Sequence, residues 1–567
     1  MRSRMLLLRR ASVRSISQRN FAQSTATRAS LRARPQLPFL SVPITSRSGR
    51  VRFLTTERKA QLKYEILTGI KYTGYLWIAG ACVIAIWGAV SIERGERKWP
   101  TPHEWSFVTR LDYRGIHYAR YSPTQGKTID WIQVAHWAEA CVKRLHDPEI
   151  DGAGLKDAPS DCPPGTKDIT AKSENWRRGY YNAMMQYAKA AEHMEGWVFD
   201  KTRKRIFPPG TMIGPSNPYP NPLPPGFNGA PREEDCELRH ENPDDLYLRI
   251  LHTVGFTNRQ KIEARIAYAN WLEYKGVMGP AAIIYEDALN LAADELKDLP
   301  VYPLDTETMT LNEAAGLPSQ NLLNSLTAYA TFRARQGDIS EALPMLVSIL
   351  KARKSLPFPS DDISLTPTLK RNAGKESWFA SISNIVRSIF TPPAYPRPPP
   401  DGTAPPVRDP PELCKEAALS LHIGEIMYAT NPATREEGLG WTREAVDVAE
   451  EQLHKIHPIA REERPAREAC RECLTTGLSN WSKMVGKLAK EEESRKAAAA
   501  EQRNNKSTGW FGGLWGEGEN GKAEEEQYTT NRWVAEEKVI EERQRRVKDL
   551  LEDLKQPSRG PLSFFKA

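Results

Sequence analysis

Lys261–Ala292 reads KIEARIAYANWLEYKGVMGPAAIIYEDALNLA, and its spacing decides the fold. Apolar residues recur every three or four positions from Ile262 to Leu272, the period of a helix with one buried face. Gly276 interrupts the pattern, and a second stripe resumes at Ala281, Tyr285 and Ala288. The reading is two helices joined by a tight turn, with small residues such as Ala269 and Ala281 where they cross. Asn321–Arg353, NLLNSLTAYATFRARQGDISEALPMLVSILKAR, repeats the plan 61 residues further on. There Ala330 is the small residue and Gly337 the turn, while Ala342, Leu346 and Ile349 form the second-helix face. A third, looser copy is expected in Lys415–Leu453, with Gly424 at the small position.

This plan resembles the tetratricopeptide repeat (TPR). Helical spacing also marks Asp130–Leu145 and Asn175–Gly196, and alternating strand patterns are scarce. The expected fold is therefore all-α, a TPR-like helical-repeat solenoid over 130–556. Insertions are expected near 207–231, 298–318, 391–411 and 491–527. Phe207–Pro231 contain nine Pro and Thr391–Pro411 contain ten. These read as loops or polyproline-like spacers, because Pro breaks both helix and ladder.

Ahead of the helices stands YTGYLWIAGACVIAIWGAVSI, Tyr72–Ile92, 21 residues without a charge in a chain that is 26% charged. At about 1.5 Å per residue it spans the roughly 30 Å hydrocarbon core of a bilayer. Tyr72, Tyr75, Trp77 and Trp87 lie toward its ends as an interfacial belt. The reading is one transmembrane helix at 72–92. Met1–Thr56 carry twelve Arg, no Lys and no acidic residue. That Arg- and Ser-rich composition is expected of a mitochondrial presequence, 1–55, followed by a short matrix-side segment, 56–71. Residues 93–129 read as a juxtamembrane linker, with the helical part beyond it in the intermembrane space. Residues up to Lys71 carry a net charge of +14, which leaves −6 from Tyr72 onward against +8 for the whole chain. No basic face for nucleic acid is expected.

Catalytic chemistry finds no support in the motifs. The ten His show no HExxH, and no nucleotide loop or nucleophile elbow occurs. Seven Cys include the pair Cys470 and Cys473, which read as helix-packing residues because a zinc ribbon needs a second pair. Neither a catalytic residue, a metal nor a cofactor is expected. A repeat array offers a groove instead. Glu263, Ile266, Asn270 and Glu273 share one helix face, and Asn324, Thr327 and Thr331 are their equivalents in the next unit; together they form the candidate substrate groove. Two further stretches are candidate partner or membrane contacts: the apolar stripe with Trp378, Phe379, Ile382 and Phe390, and the aromatic loop with Trp510, Phe511 and Trp515.

The order of an Arg-rich leader, one span, ERKWPTPHEWSFVTR (Glu96–Arg110) and RILHTVGFTNRQKIEARIAYANWLEYKG (Arg249–Gly276) resembles a family. It is similar to the fungal TPR adaptor of the mitochondrial i-AAA protease supercomplex. The resemblance implies an inner-membrane, non-enzymatic adaptor that binds unfolded substrates and delivers them to the protease. It also implies the i-AAA protease and its other adaptor subunit as partners. An assembly or scaffold factor for inner-membrane complexes and a TPR import receptor are the alternatives.

Overall fold

α1, Thr56–Lys98, is a single 43-residue helix. Its most apolar window has a mean hydropathy of 2.0 and none of it is covered by the rest of the chain. By length and composition it is able to cross a membrane. The computed structural model describes residues 56–121, 129–159, 162–223, 225–227, 229–297, 300–305, 307–359, 395–456, 464–507 and 520–553. Thirteen helices and five short strands form the regular structure of these residues. Residues up to Ile86 belong to one unit and Trp87–Ala567 to a second, which holds all the remaining helices.

The second unit is helix after helix, each packed on the next in chain order. They are α2 (Phe107–Tyr121), α3 (Trp131–His146), α4 (Glu174–His193) and α5 (Pro243–His252). Then come α6 (Asn258–Tyr274), α7 (Met278–Asp294), α8 (Gln320–Gln336) and α9 (Ile339–Lys354). The last four are α10 (Pro410–Thr430), α11 (Arg435–Lys455), α12 (Arg464–Ser507) and α13 (Asn520–Asp553). Local chemistry sets their ends. Asp130, Ser173, Ser319 and Asp409 accept backbone N–H groups as N-caps of α3, α4, α8 and α10. Thr257 and Gln260 form a capping box on α6. Gly276 (φ +78°) and Gly337 (φ +96°) end α6 and α8 in the left-handed region, where a Cβ would be strained.

Among the described residues two hydrophobic cores result, and α10 serves both. One runs from Trp105 through α3–α9 and takes Leu419 and Ile423 from α10. The other takes Cys414, Ala417, Leu421 and Tyr428 from α10 and packs them against α11–α13. Across it a disulfide joins Cys414 to Cys470, tying α10 to α12 with Cα atoms 5.0 Å apart. Cys470, expected only to pack, is therefore covalently bonded, while Cys473 stays a buried thiol. The CxxC spacing concealed this, because the partner lies 56 residues upstream.

Two small sheets interrupt the helices: β1 (Lys156–Asp157) with β2 (Lys167–Asp168), and β3 (Val198–Asp200) between β4 (Arg205–Phe207) and β5 (Cys236–Leu238). All these pairs are antiparallel, with Val198 opposite both Phe207 and Leu238. The proline-rich stretch 207–231 is thus the long connection from β4 to β5. The stretch 93–129, read above as a linker, contains the end of α1 and all of α2. Glu96, 3% exposed, pairs there with Arg110 at 2.9 Å and Arg114 at 3.3 Å. The charged, Ala-rich stretch from 491 is an unbroken continuation of α12 to Ser507, as its strong helix formers favour.

Candidate functional site

α6 and α8 present their candidate faces to one groove of about 440 Å³. α6 contributes Glu263, Ile266 and Asn270, and α8 contributes Asn324, Thr327 and Thr331. Each set is spaced at three or four residues, so a regular helix aligns it. Six of the seven candidate groove residues thus meet. Glu273, the seventh, does not line it. Arg335 grips its carboxylate with two hydrogen bonds, at 2.6 and 2.8 Å, and the Tyr285 hydroxyl lies 3.2 Å from it. Its pairing ties α6 to α7 and α8 instead of facing a ligand.

Two cations that the helix faces did not reveal complete the groove: Arg353 from α9 and Lys415 from α10. Arg353 is 1% exposed and ion-paired with Glu412, itself 2% exposed. Lys415 shares that carboxylate at 3.1 Å and donates to Asn324 Oδ1 at 3.5 Å. One carboxylate thus serves two cations. Burial pushes the Lys415 ammonium down to about 8, helped by the neighbouring charges of Arg353 and Arg259 and opposed by Asp409. Burial likewise lowers Arg353 to about 10.

A sequence signal for Arg353 existed. Met345, Leu346, Ile349, Leu350 and Arg353 form the buried stripe of α9, and a guanidinium on such a stripe requires a partner. Nothing in the sequence pointed to Lys415.

His422 of α10 also lines the groove, and four of the groove's other polar groups have partners close by. Thr327 donates to the Leu323 carbonyl at 2.5 Å, and Thr331 donates to Thr327 O at 2.9 Å. Asn270 accepts from Tyr285. Glu263 accepts from Arg259 at 2.9 Å. Ile266 and Leu419 supply apolar surface. The arrangement offers apolar contact, side-chain amides and a cation, the ingredients for holding an extended chain that carries an acidic group. A separate cleft of about 480 Å³ between α10 and α12 contains none of the candidate residues.

Among the described residues, no group of three or more His, Cys, Asp or Glu is placed to hold a metal ion. Trp378, Phe379, Ile382 and Phe390, and Trp510, Phe511 and Trp515, lie outside the described residues. Compared with protein-family models, curated proteins and solved structures, the chain matches none.

Proposed function

We propose that this protein is a membrane-anchored, non-enzymatic adaptor whose TPR-like helical array holds unfolded polypeptide segments. The observation that carries the reading is the groove between α6, α8, α9 and α10, where Ile266 and Leu419 lie beside Asn270, Asn324 and Lys415. Such a surface serves many sequences, because it combines apolar contact with hydrogen bonding to any backbone. The uncovered apolar helix α1 supports an anchor at 72–92, since a stripe of that size is costly to leave in water.

In this reading the anchor lies in the mitochondrial inner membrane, and the helical array faces the intermembrane space. The Arg-rich leader supports the organelle. The Cys414–Cys470 disulfide supports an oxidising side of the membrane over the reducing matrix. The resemblance in Glu96–Arg110 and Arg249–Gly276 supports delivery of substrates to the i-AAA protease alongside its other adaptor subunit.

Fluorescence anisotropy on the detergent-solubilised chain tests the binding step, using one labelled protein in its chemically unfolded and native forms. Preference for the unfolded form, without ATP, is expected. Equal or absent binding overturns the reading. Substrate decay in cells lacking the chain tests delivery: slowed turnover is expected. Unchanged decay of several substrates makes an assembly factor the better account.

A further inference from the structure

The proline-rich segment Tyr395–Arg408 lies extended across α4, α6 and α8, and the helices hold it by its carbonyl groups. Arg178 of α4 donates to the Pro396 carbonyl and sets its guanidinium 4.3 Å over the Tyr395 ring. Arg259 of α6 donates to the Pro400 carbonyl at 2.8 Å. At the start of α8, Asn321 Nδ2 donates to the Asp401 carbonyl at 3.0 Å. The Asn321 and Gln320 backbone N–H groups, which have no acceptor inside their own helix, donate to Gly402 at 3.0 Å and Ala404 at 3.2 Å. Gly402 is at φ +80°, and a Cβ there would come within 2.1 Å of Asn321 Oδ1, so only glycine approaches this closely.

This is recognition of a backbone rather than of prolines. Pro396, Pro398, Pro399 and Pro400 are all exposed. A polyproline-type strand has no internal hydrogen bonds, and its prolines have no N–H, so its carbonyls are the main-chain groups left to read. Donors that read carbonyls tolerate varied side chains, except beside Asn321, where a glycine is needed. A cleft of about 730 Å³ alongside the segment and the open groove beside it share Glu263 in their walls, so the two adjoin at α6.

We infer that α4, α6 and α8 form a binding site for extended, unstructured polypeptide, and that Tyr395–Arg408 is its built-in occupant. Arg178, Arg259 and Asn321 are the reading residues, and the segment competes with any other extended chain that enters. Tethering makes it a strong competitor, since a short linker supplies an effective concentration in the millimolar range. For clients the inference rests on the adaptor reading, but the site itself stands on the contacts above.

The test uses the full chain in detergent, with a fluorescein-labelled synthetic peptide of sequence 395–410 and a labelled, chemically unfolded protein as the two probes. Gly402→Ala dislodges the segment at α8 by pressing on the Asn321 side chain, and it leaves Arg178 and Arg259 untouched. It should tighten binding of the peptide by about tenfold, and Arg178→Ala with Arg259→Ala in the same chain should remove the gain. Where Gly402→Ala lowers helix content, Tyr395→Ser carries the same comparison, because it removes only the ring beneath Arg178. Equal peptide binding by the original and loosened chains overturns the inference, as does a gain that survives loss of both arginines. If the peptide behaves as expected and the unfolded protein binds neither chain, the site stands and the client reading falls. If the unfolded protein binds both chains alike while the peptide shows no gain, the client reading stands and the inference falls.

Discussion

Arg353 and Glu412 are the residues on which the site's integrity turns. Both are almost fully buried, and each leaves the other exposed to a large desolvation cost if removed. Glu412→Leu should destabilise the chain by about 3–5 kcal/mol, because it strands buried Arg353 beside Lys415, while Arg353→Leu combined with Glu412→Leu should cost clearly less, because only the partly exposed Lys415 then lacks its carboxylate. Urea denaturation of the three chains measures this; equal losses for single and double variants refute it.

Lys415 makes the second prediction at this scale. Facing it are Arg353 from α9, Arg259 from α6, and Asp409 and Glu412 from its own helix region. Its folded value of about 8 lies below the usual 10.5. The cost of burying its charge is therefore fully present below pH 8. It is relieved between about 8 and 10.5, where the folded chain releases the proton before the unfolded one does. Affinity for a labelled extended peptide with one glutamate should consequently fall about tenfold from pH 7 to pH 9, as a charge-assisted hydrogen bond is lost. Lys415→Met should bind weakly and without that pH dependence. A pH profile surviving in Lys415→Met would assign the effect elsewhere.

Between elements, α10 and α11 cross with glycine backbone against glycine backbone. A Cβ on Gly424 would meet the Gly438 carbonyl oxygen at 2.7 Å, and one on Gly438 would meet the Gly424 carbonyl oxygen at 2.7 Å. Backbone, not a yielding side chain, stands in the way. Gly424→Ala or Gly438→Ala should therefore cost about 1–3 kcal/mol through overpacking. Gly440, on the same helix, has nothing within 4 Å of a built Cβ. Gly440→Ala should stabilise by roughly 0.5–1 kcal/mol, since Ala loses less backbone entropy in a helix. Thermal melting of the three variants gives the order directly, and a Gly438→Ala chain as stable as Gly440→Ala would mean that the helices separate at no cost.

For the whole molecule, the proposed inner-membrane anchor and intermembrane-space location can be tested through α1 and the disulfide of the second core. α1 exposes Leu76, Trp77 and Trp87 at more than 70% each, which water does not favour. The Cys414–Cys470 bond closes a loop of 56 residues and should contribute roughly 4 kcal/mol through loss of unfolded-state entropy. The chain should remain in the membrane pellet after alkaline extraction of mitochondria. Protease should digest its C-terminal part only once the outer membrane is ruptured. Thiol blocking before lysis should leave Cys414 and Cys470 unlabelled, and Cys414→Ser should lower the melting temperature. Labelled cysteines at both positions, or protection that outlasts rupture, would place the array in the matrix.

Periodicity is a local property, and what it governs was legible in the sequence. The α6 and α8 stripes, their turns at Gly276 and Gly337, and the charge-free run inside α1 follow from neighbours three or four residues apart. The same spacing aligned Ile266 with Asn270 and Asn324 with Thr327, because side chains one turn apart share a face. It placed Glu273 on that face too, and there the structure differs, since Arg335 of α8 holds its carboxylate away from the groove. Periodicity carries no information on which helix meets which across the intervening chain. Arg353 and Lys415 enter the groove, Cys414 finds Cys470, and Tyr395–Arg408 settles on α4, α6 and α8 only once packing brings distant segments within a few ångströms. Hydrogen bonds, ion pairs and disulfides act only at such range, so those partnerships were decided by the tertiary structure alone.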